Sequence, residues 1–347
     1  MRTVRLALFG AGWAAGARHV PAMRAHGGFE LVAVADVHGE RAAALARSAG
    51  GAGHHAAAGV EDLPDSDAFD AVACATPPAT HAAVVEGALR AGKHVLCEKP
   101  LAVGADEVER LEALACENGV VLAVVHNFQF ARSATRARRW IDSGRLGAIR
   151  SLRALLLSSP SRRLPPWYEE LPLGLFYDES PHAIALARHL TSAELEPVSA
   201  SVVGGDGVTP SQLDLSLNAA GVPVGLHMSF DSPVSEWHTM VLGERGVASV
   251  DLFRDIATFV PADGGHGPRE VLRSSAAATA GHWAGYVRSG IGHLRGSLRY
   301  GADEVYARFH SAVVDGRRPE GIEASDAVAV ARVQDWAVDA ARAGEPA

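Results

Sequence analysis

Lysine is nearly missing from this chain. Only Lys93 and Lys99 stand among 32 basic residues, and the rest are arginine. Richness in alanine and arginine reads as a coding bias, yet it makes each remaining lysine a position to explain. Cysteine is also scarce. Cys74, Cys97 and Cys116 form no Cys-x-x-Cys pair and leave one over, which argues against a disulfide framework and for a reduced, cytoplasmic compartment. Positive charge is not in excess: the net charge is −8, the wrong sign for a nucleic-acid face. The one basic run, Arg132 to Trp140, repeats its arginines at helical spacing and reads first as a solvated helix face, second as an anion site. No apolar stretch is long enough to span a membrane. The run from Leu6 to Phe9 is too short for the core of a secretory leader and reads better as a buried strand.

The 347 residues exceed one ordinary core and point to two domains. Val4 to Phe9 predicts a strand, and "GAGWAAG" (Gly10 to Gly16) follows it. A helix is expected through "ARHVPAMRAH", then a second strand, Phe29 to Ala35, that ends at Asp36. These are the parts of a dinucleotide-binding βαβ unit. Gly10 permits the tight turn, Gly12 lets backbone approach a pyrophosphate, and Ala15 is small enough for close helix–strand packing. Trp13 sits within the same turn. Asp36 in this position accepts hydrogen bonds from adenosine ribose hydroxyls and repels a 2′-phosphate, which favours NAD over NADP. The alternative is an exposed acid opening a turn. Further strands are expected at Phe69–Thr76, His94–Lys99 and Val120–Val125, with helices between them, so the sheet is parallel and doubly wound. Ligands bind beyond the carboxyl ends of such strands, where Thr76, Pro77, His81, Glu98 and Lys99 all fall. A helix-start role is the alternative for His81.

The segments "GAGWAAG", Asp36, "ATPPATH" and "EKP" resemble the glucose–fructose oxidoreductase/inositol dehydrogenase (Gfo/Idh/MocA) family. The resemblance continues through "NFQFARSATRARRWIDSGRLGAIRSLRA", similar to the family's interdomain segment, and "GLFYDESPHAIALARHL", similar to its second-domain helix with an Asp-x-x-x-His pair. It implies an α/β chain with a Rossmann domain (1–125) followed by an α+β domain (126–347). The second domain has an open, mixed, mostly antiparallel sheet, with strands near 195–204, 211–218, 223–230 and 236–261. A closing helix near 323–342 is expected to pack back on the first domain, and the sheet to join copies into a homodimer or homotetramer. The pattern is broken at Gln129, Phe130, Ala131 and Arg132, where members carry Arg-Phe-x-Pro, and at Ala185, often an acid in polyol-oxidising members.

The implied activity is an NAD(P)-dependent dehydrogenase or reductase that interconverts a hydroxyl and a ketone on a sugar, cyclitol or sugar nucleotide. Hydride transfer of this kind needs an acid/base and a group that stabilises charge on the oxygen. The resemblance gives these roles to His182 and Lys99. Asp178 orients the imidazole or binds substrate. On sequence, Ser180 is a plausible helix N-cap and Pro181 a first helical residue, which would put His182 in the first turn of its helix. The two would still share a face if the helix began earlier. A capping acid and a half-buried histidine form the bland alternative. Asn127, Trp167 and Tyr168 are further substrate-contact candidates. The last two lie in a Pro-rich segment (158–174) whose other role is packing. Glu98 is read as a nicotinamide-ribose contact or a partner of Lys99. No metal is expected; His182 and His189 could share a helix face but have no third ligand. Two other functions stay open: a redox-neutral elimination with bound NAD, and a non-enzymatic NAD-sensing regulator.

Overall fold

The computed structural model describes residues 2–344 apart from 163, 165, 206, 266, 296 and 297. Contacts divide the chain into one unit of Met1–Asn127 with Ala302–Arg332 and another of Phe128–Gly301 with Val333–Ala347. The helices in chain order are α1 (Val20–His26), α2 (Gly39–Ser48), α3 (Pro78–Arg90), α4 (Ala105–Glu117), α5 (Arg132–Asp142), α6 (Leu175–Thr191), α7 (Pro268–Leu294), α8 (Ala302–Asp315) and α9 (Ala324–Gly344).

The first unit is built on six parallel strands: β1 (Val4–Phe9), β2 (Phe29–Asp36), β3 (Gly53–Ala56), β4 (Ala71–Cys74), β5 (His94–Cys97) and β6 (Leu122–Val124). They are ordered β3-β2-β1-β4-β5-β6. The central runs are apolar without alternation. All four residues of β4 are fully buried, as a sheet covered on both faces requires. Strand order reverses between β1 and β4, which opens a crevice at their carboxyl ends. β3 lies outside the strands expected from the sequence. Its sequence, Gly-His-His-Ala, carries no apolar period because it is an exposed edge strand. The opposite edge is covered: Val124 N–H donates to Ile322 O at 2.8 Å, and Ala123 bridges Glu323 in antiparallel fashion. Residues 302–322, placed in the second domain on sequence, group with the first unit, as does α9 up to Arg332, part of the closing helix expected to pack back there. Tyr306 and Phe309 of α8 pack on Phe29 at ring distances of 5.3 and 6.3 Å.

The helix after the glycine turn widens to a π-turn at Ala15–His19 before α1, with Val20 N–H reaching back to Ala15 O. Pro21 is the cause. It has no N–H to give the preceding turn, and its ring needs room there.

The second unit holds β7 (Ile149–Leu157), β8 (Glu196–Val203), β9 (Gln212–Ala219), β10 (Val222–Ser229), β11 (Glu236–Gly243), β12 (Gly246–Asp251) and β13 (Ile256–Pro261), ordered β13-β12-β11-β7-β10-β9-β8. β7 and β10 are parallel and the other neighbours antiparallel, so the stretch 236–261 resolves into three strands. In β9, Leu213, Leu215 and Leu217 are buried while Gln212, Asp214 and Ser216 are exposed. This period of two marks a sheet with one covered face. α6 lies against β7, β9 and β10, and α5 against β12 and β13.

Candidate active site

In the first unit the expected residues converge at the carboxyl ends of β1, β2, β4 and β5. Gly10 has φ +89°, and a Cβ there would lie 2.4 Å from Ala75 O. No side chain fits, because the chain leaving β4 passes directly against this turn. At Gly12 a Cβ would meet nothing within 4 Å, so the space before the helix start is an open cradle for phosphate oxygens. Ala15 is fully buried, and Trp13 is exposed with the Arg18 guanidinium over its ring. Asp36 already accepts two backbone hydrogen bonds, from Ala11 N–H and His38 N–H, both at 2.8 Å. These fix its carboxylate beside the glycine turn, and remaining lone pairs can meet ribose hydroxyls. The glycine cradle, buried Ala15 and oriented acid fit a dinucleotide.

Beyond β4, the Thr76 hydroxyl accepts from Thr80 Oγ1 at 2.9 Å, and Pro77 caps α3. His81 lies beneath this surface, 1% exposed. Its ring nitrogens stand 2.7 Å from Pro100 O and 2.8 Å from Thr76 O. It thus ties the loop after β4 to the loop after β5 and has no polar ring atom to spare. The Lys99–Pro100 peptide is cis. His81, Cys74 and Cys97 place possible metal-ligand atoms within 4.8 Å of one another, but the histidine nitrogens are spent on these carbonyls.

Glu98 has a partner that local sequence did not indicate. His19 Nε2 lies 3.0 Å from Glu98 Oε1, and His19 Nδ1 lies 2.7 Å from the Tyr306 hydroxyl. Burial would push the Glu98 carboxyl up. The hydrogen bond and charge of His19, with the charges of Lys99 and Arg18, hold it down at about 2. Burial raises the Tyr306 hydroxyl, and the charge of Glu98 adds to that. Lys99 backbone N–H donates to Glu98 Oε2 at 3.3 Å, so an ionised carboxylate is fixed beside Lys99. Asn127 is buried just past β6, at the end of this unit.

In the second unit, Asp178 and His182 sit on α6, but the helix starts at Leu175, five residues before the expected cap. Gly174 (φ +53°) precedes it. Thr209 Oγ1 accepts Leu175 N–H at 3.0 Å, exactly where a Cβ on Gly174 would clash, 2.1 Å away. His182 is therefore two turns into α6 and not in its first turn. Pro181 lies inside the helix and gives nothing to Tyr177 O. Gln334 Nε2 of α9 supplies that bond instead, at 2.8 Å, and also donates to Ser180 Oγ at 2.9 Å. Gln334→Leu should remove both of these buried bonds and cost about 1–3 kcal/mol, read as a drop of several degrees in calorimetric melting temperature; an unchanged melting temperature would rule this out.

Asp178 and His182 share a face at i,i+4. Phe128 stands edge-on to the imidazole at 4.6 Å and Trp237 at 5.6 Å, and the two rings fix its plane. Neither was singled out in the sequence, since both come from distant strands and turns. Arg162 is another unforeseen neighbour. It donates to Ser158 Oγ at 2.6 Å and pairs with Glu179. Burial pushes its guanidinium below the usual value against the opposing charge of Asp178. Trp167 and Tyr168 lie half-buried on the short helical turn Pro166–Glu170; residues 163 and 165 of that segment lie outside the described residues. His189 packs on Phe130 at 6.2 Å.

Comparison with known proteins agrees with this architecture. The family model described as an oxidoreductase family with an NAD-binding Rossmann fold (Gfo/Idh/MocA) matches residues 4–126, and the Gfo/Idh/MocA C-terminal domain matches residues 134–249. A dTDP-3,4-didehydro-2,6-dideoxy-α-D-glucose 3-reductase of Streptomyces violaceoruber is 34% identical over 257 residues, which are 72% of this chain and 73% of the reductase. An inositol 2-dehydrogenase of Rhizobium meliloti is 33% identical over 57% of this chain and 58% of its own. Among solved structures, GenD2 from gentamicin A biosynthesis, in complex with NAD, superposes with a TM-score of 0.79 at 23% identity over 99% of this chain and 96% of its own. The glycine cradle, the Glu98–Lys99–Pro100 turn and the Asp178/His182 helix are thus carried by a chain that belongs to the Gfo/Idh/MocA oxidoreductase family.

Proposed function

We propose that the protein is an NAD(H)-dependent oxidoreductase that interconverts a secondary hydroxyl and a ketone on a polyhydroxylated small molecule: a sugar, a cyclitol or a sugar nucleotide. One observation carries the reading: the glycine cradle, Asp36 and the Glu98–Lys99 turn all stand at the carboxyl ends of one parallel sheet. A bound nicotinamide supplies or takes the hydride. The protein's own residues do the rest. Lys99 holds the substrate oxygen and stabilises its negative charge. His182 exchanges the proton, its ring held by Phe128 and Trp237. Asp178 orients that ring. Asp36, tied to Ala11 and His38, selects NAD over NADP by charge. Asn127, Trp167 and Tyr168 are assigned to substrate contact, and the open face of the seven-stranded sheet, which exposes Met240, Leu242 and Val203, to assembly with further copies, which light scattering can check. The relatives named above, a sugar-nucleotide reductase and an inositol dehydrogenase, support this substrate class.

The test follows absorbance of the reduced nicotinamide with a panel of sugars, cyclitols, sugar nucleotides and their keto forms, in NAD(H) and NADP(H). Turnover with net NADH change for at least one panel member is expected, with NAD preferred. Substrate consumption without net NADH change would favour redox-neutral elimination instead, and NAD binding without any turnover a sensor.

A further inference from the structure

The arginine run of α5 borders a cleft of the second unit that the chemistry above leaves unused. The cleft has a volume of about 460 Å3. Arg132, Arg136 and Arg139 line it from α5 and Arg288 from α7. The three α5 residues are spaced four and three apart and share a face. Arg138 lies off that face and is occupied by Asp142 and His189 O.

Only one acid, Asp255, lines the cleft among the described residues. Its carboxylate is already used: Arg132 Nε donates to it at 2.9 Å and Ser133 N–H at 2.8 Å. Four arginines thus line a cleft that holds a single, committed carboxylate, and the Arg136 guanidinium lies over the Trp140 ring at 5.1 Å. A second observation is independent of this charge. Ser133, a residue that also lines the cleft, is 2% exposed, and its Oγ has no hydrogen-bond partner among the described residues. A buried hydroxyl without a partner is unfavourable, and so is the convergence of like charges. One kind of ligand relieves both: an anion with several acceptor oxygens.

We propose that this cleft binds a phosphoryl-bearing small molecule of the diphosphate class, with Arg136, Arg139 and Arg288 on its oxygens and Ser133 Oγ donating to one of them. Guanidinium forks match phosphoryl oxygens in bidentate fashion. A lone carboxylate offers too little charge and too few oxygens for guanidinium groups from two helices. The volume lies in the range of small-molecule sites, and Phe130 and Ala257 give an apolar wall for an organic part. The inference goes beyond the oxidoreductase reading and does not depend on it.

The test is calorimetric titration of the whole protein with inorganic pyrophosphate, uridine diphosphate and, as a control, sulfate. NADH is present throughout so that the dinucleotide site is filled. One diphosphate per chain is expected, with sulfate at least tenfold weaker. An Arg136→Ala/Arg288→Ala variant should bind at least tenfold more weakly at an unchanged melting temperature. Ser133→Ala should weaken binding severalfold while raising the melting temperature of the ligand-free protein. Tighter binding of uridine diphosphate than of pyrophosphate identifies a nucleotide ligand, and the reverse a free anion; both support the site. Failure of both diphosphates to bind, equal affinity in the double variant, or sulfate binding as tightly as pyrophosphate overturns it.

Discussion

Lys99→Met should lower turnover about 10³-fold while NADH affinity stays within a factor of about two. The size follows from removing the one group assigned to stabilise charge on the reacting oxygen, a loss typically of 10²–10³, with a further share for proton transfer. The selectivity follows from local structure. Glu98 does not depend on Lys99 alone for its charge, because His19 lies 3.0 Å away and Arg18 adds to the field that holds the carboxyl near 2. Methionine fills the lysine stem, so the turn anchored by His81 to Thr76 O and Pro100 O persists. Lys99→Arg sharpens the test. It keeps the charge but replaces a compact ammonium by a planar fork that does not give up its proton, so it should still lose on the order of 10²-fold. Turnover that survives in the methionine variant, measured by single-turnover absorbance with NADH bound, would remove Lys99 from the chemistry.

How much of this was legible beforehand depends on the range of the interactions. The glycine turn, Asp36 and Glu98–Lys99–Pro100 were readable because strand, turn and helix follow one another within a few residues. His19 was not. Its partners, Glu98 and Tyr306, lie 79 and 287 residues away, and no local pattern distinguishes a histidine that will meet them from one that caps a helix. The start of α6 was misjudged for a related reason. Proline after serine is a sound local start signal, but Gln334, more than 150 residues downstream, covers the carbonyl that Pro181 leaves open, and Thr209 caps the true start. β3 escaped because an exposed edge strand needs no apolar side chains. The α5 arginines read as a solvated face in the local sequence because Arg288, which closes that face into a cleft, comes from α7, far along the chain.

His182→Ala should reduce turnover by 10²- to 10⁴-fold, the usual span for a lost acid/base, and part of the loss should return on adding free imidazole. Rescue is the informative arm, since a merely structural histidine would not be replaced by a diffusing base. The site should remain built around the gap. Phe128 and Trp237 contact each other directly at 4.9 Å, so their packing does not rest on the imidazole. α6 is held from its start by Thr209 and mid-helix by Gln334, and the melting temperature should move by only a few degrees. The pH dependence of kcat/KM should lose the limb that reports the exchanging group. Asp178→Asn should keep that limb and fall about tenfold, because it removes the charge assigned to orienting the ring and leaves the proposed proton carrier in place. NADH affinity should be unchanged in both variants, as the cradle at Gly10, Gly12 and Asp36 belongs to the first unit. A His182→Ala protein with full turnover, or one whose lost activity imidazole cannot restore at any concentration tolerated by the fold, would shift the proton exchange to another residue and leave His182 a packing group between two aromatic rings.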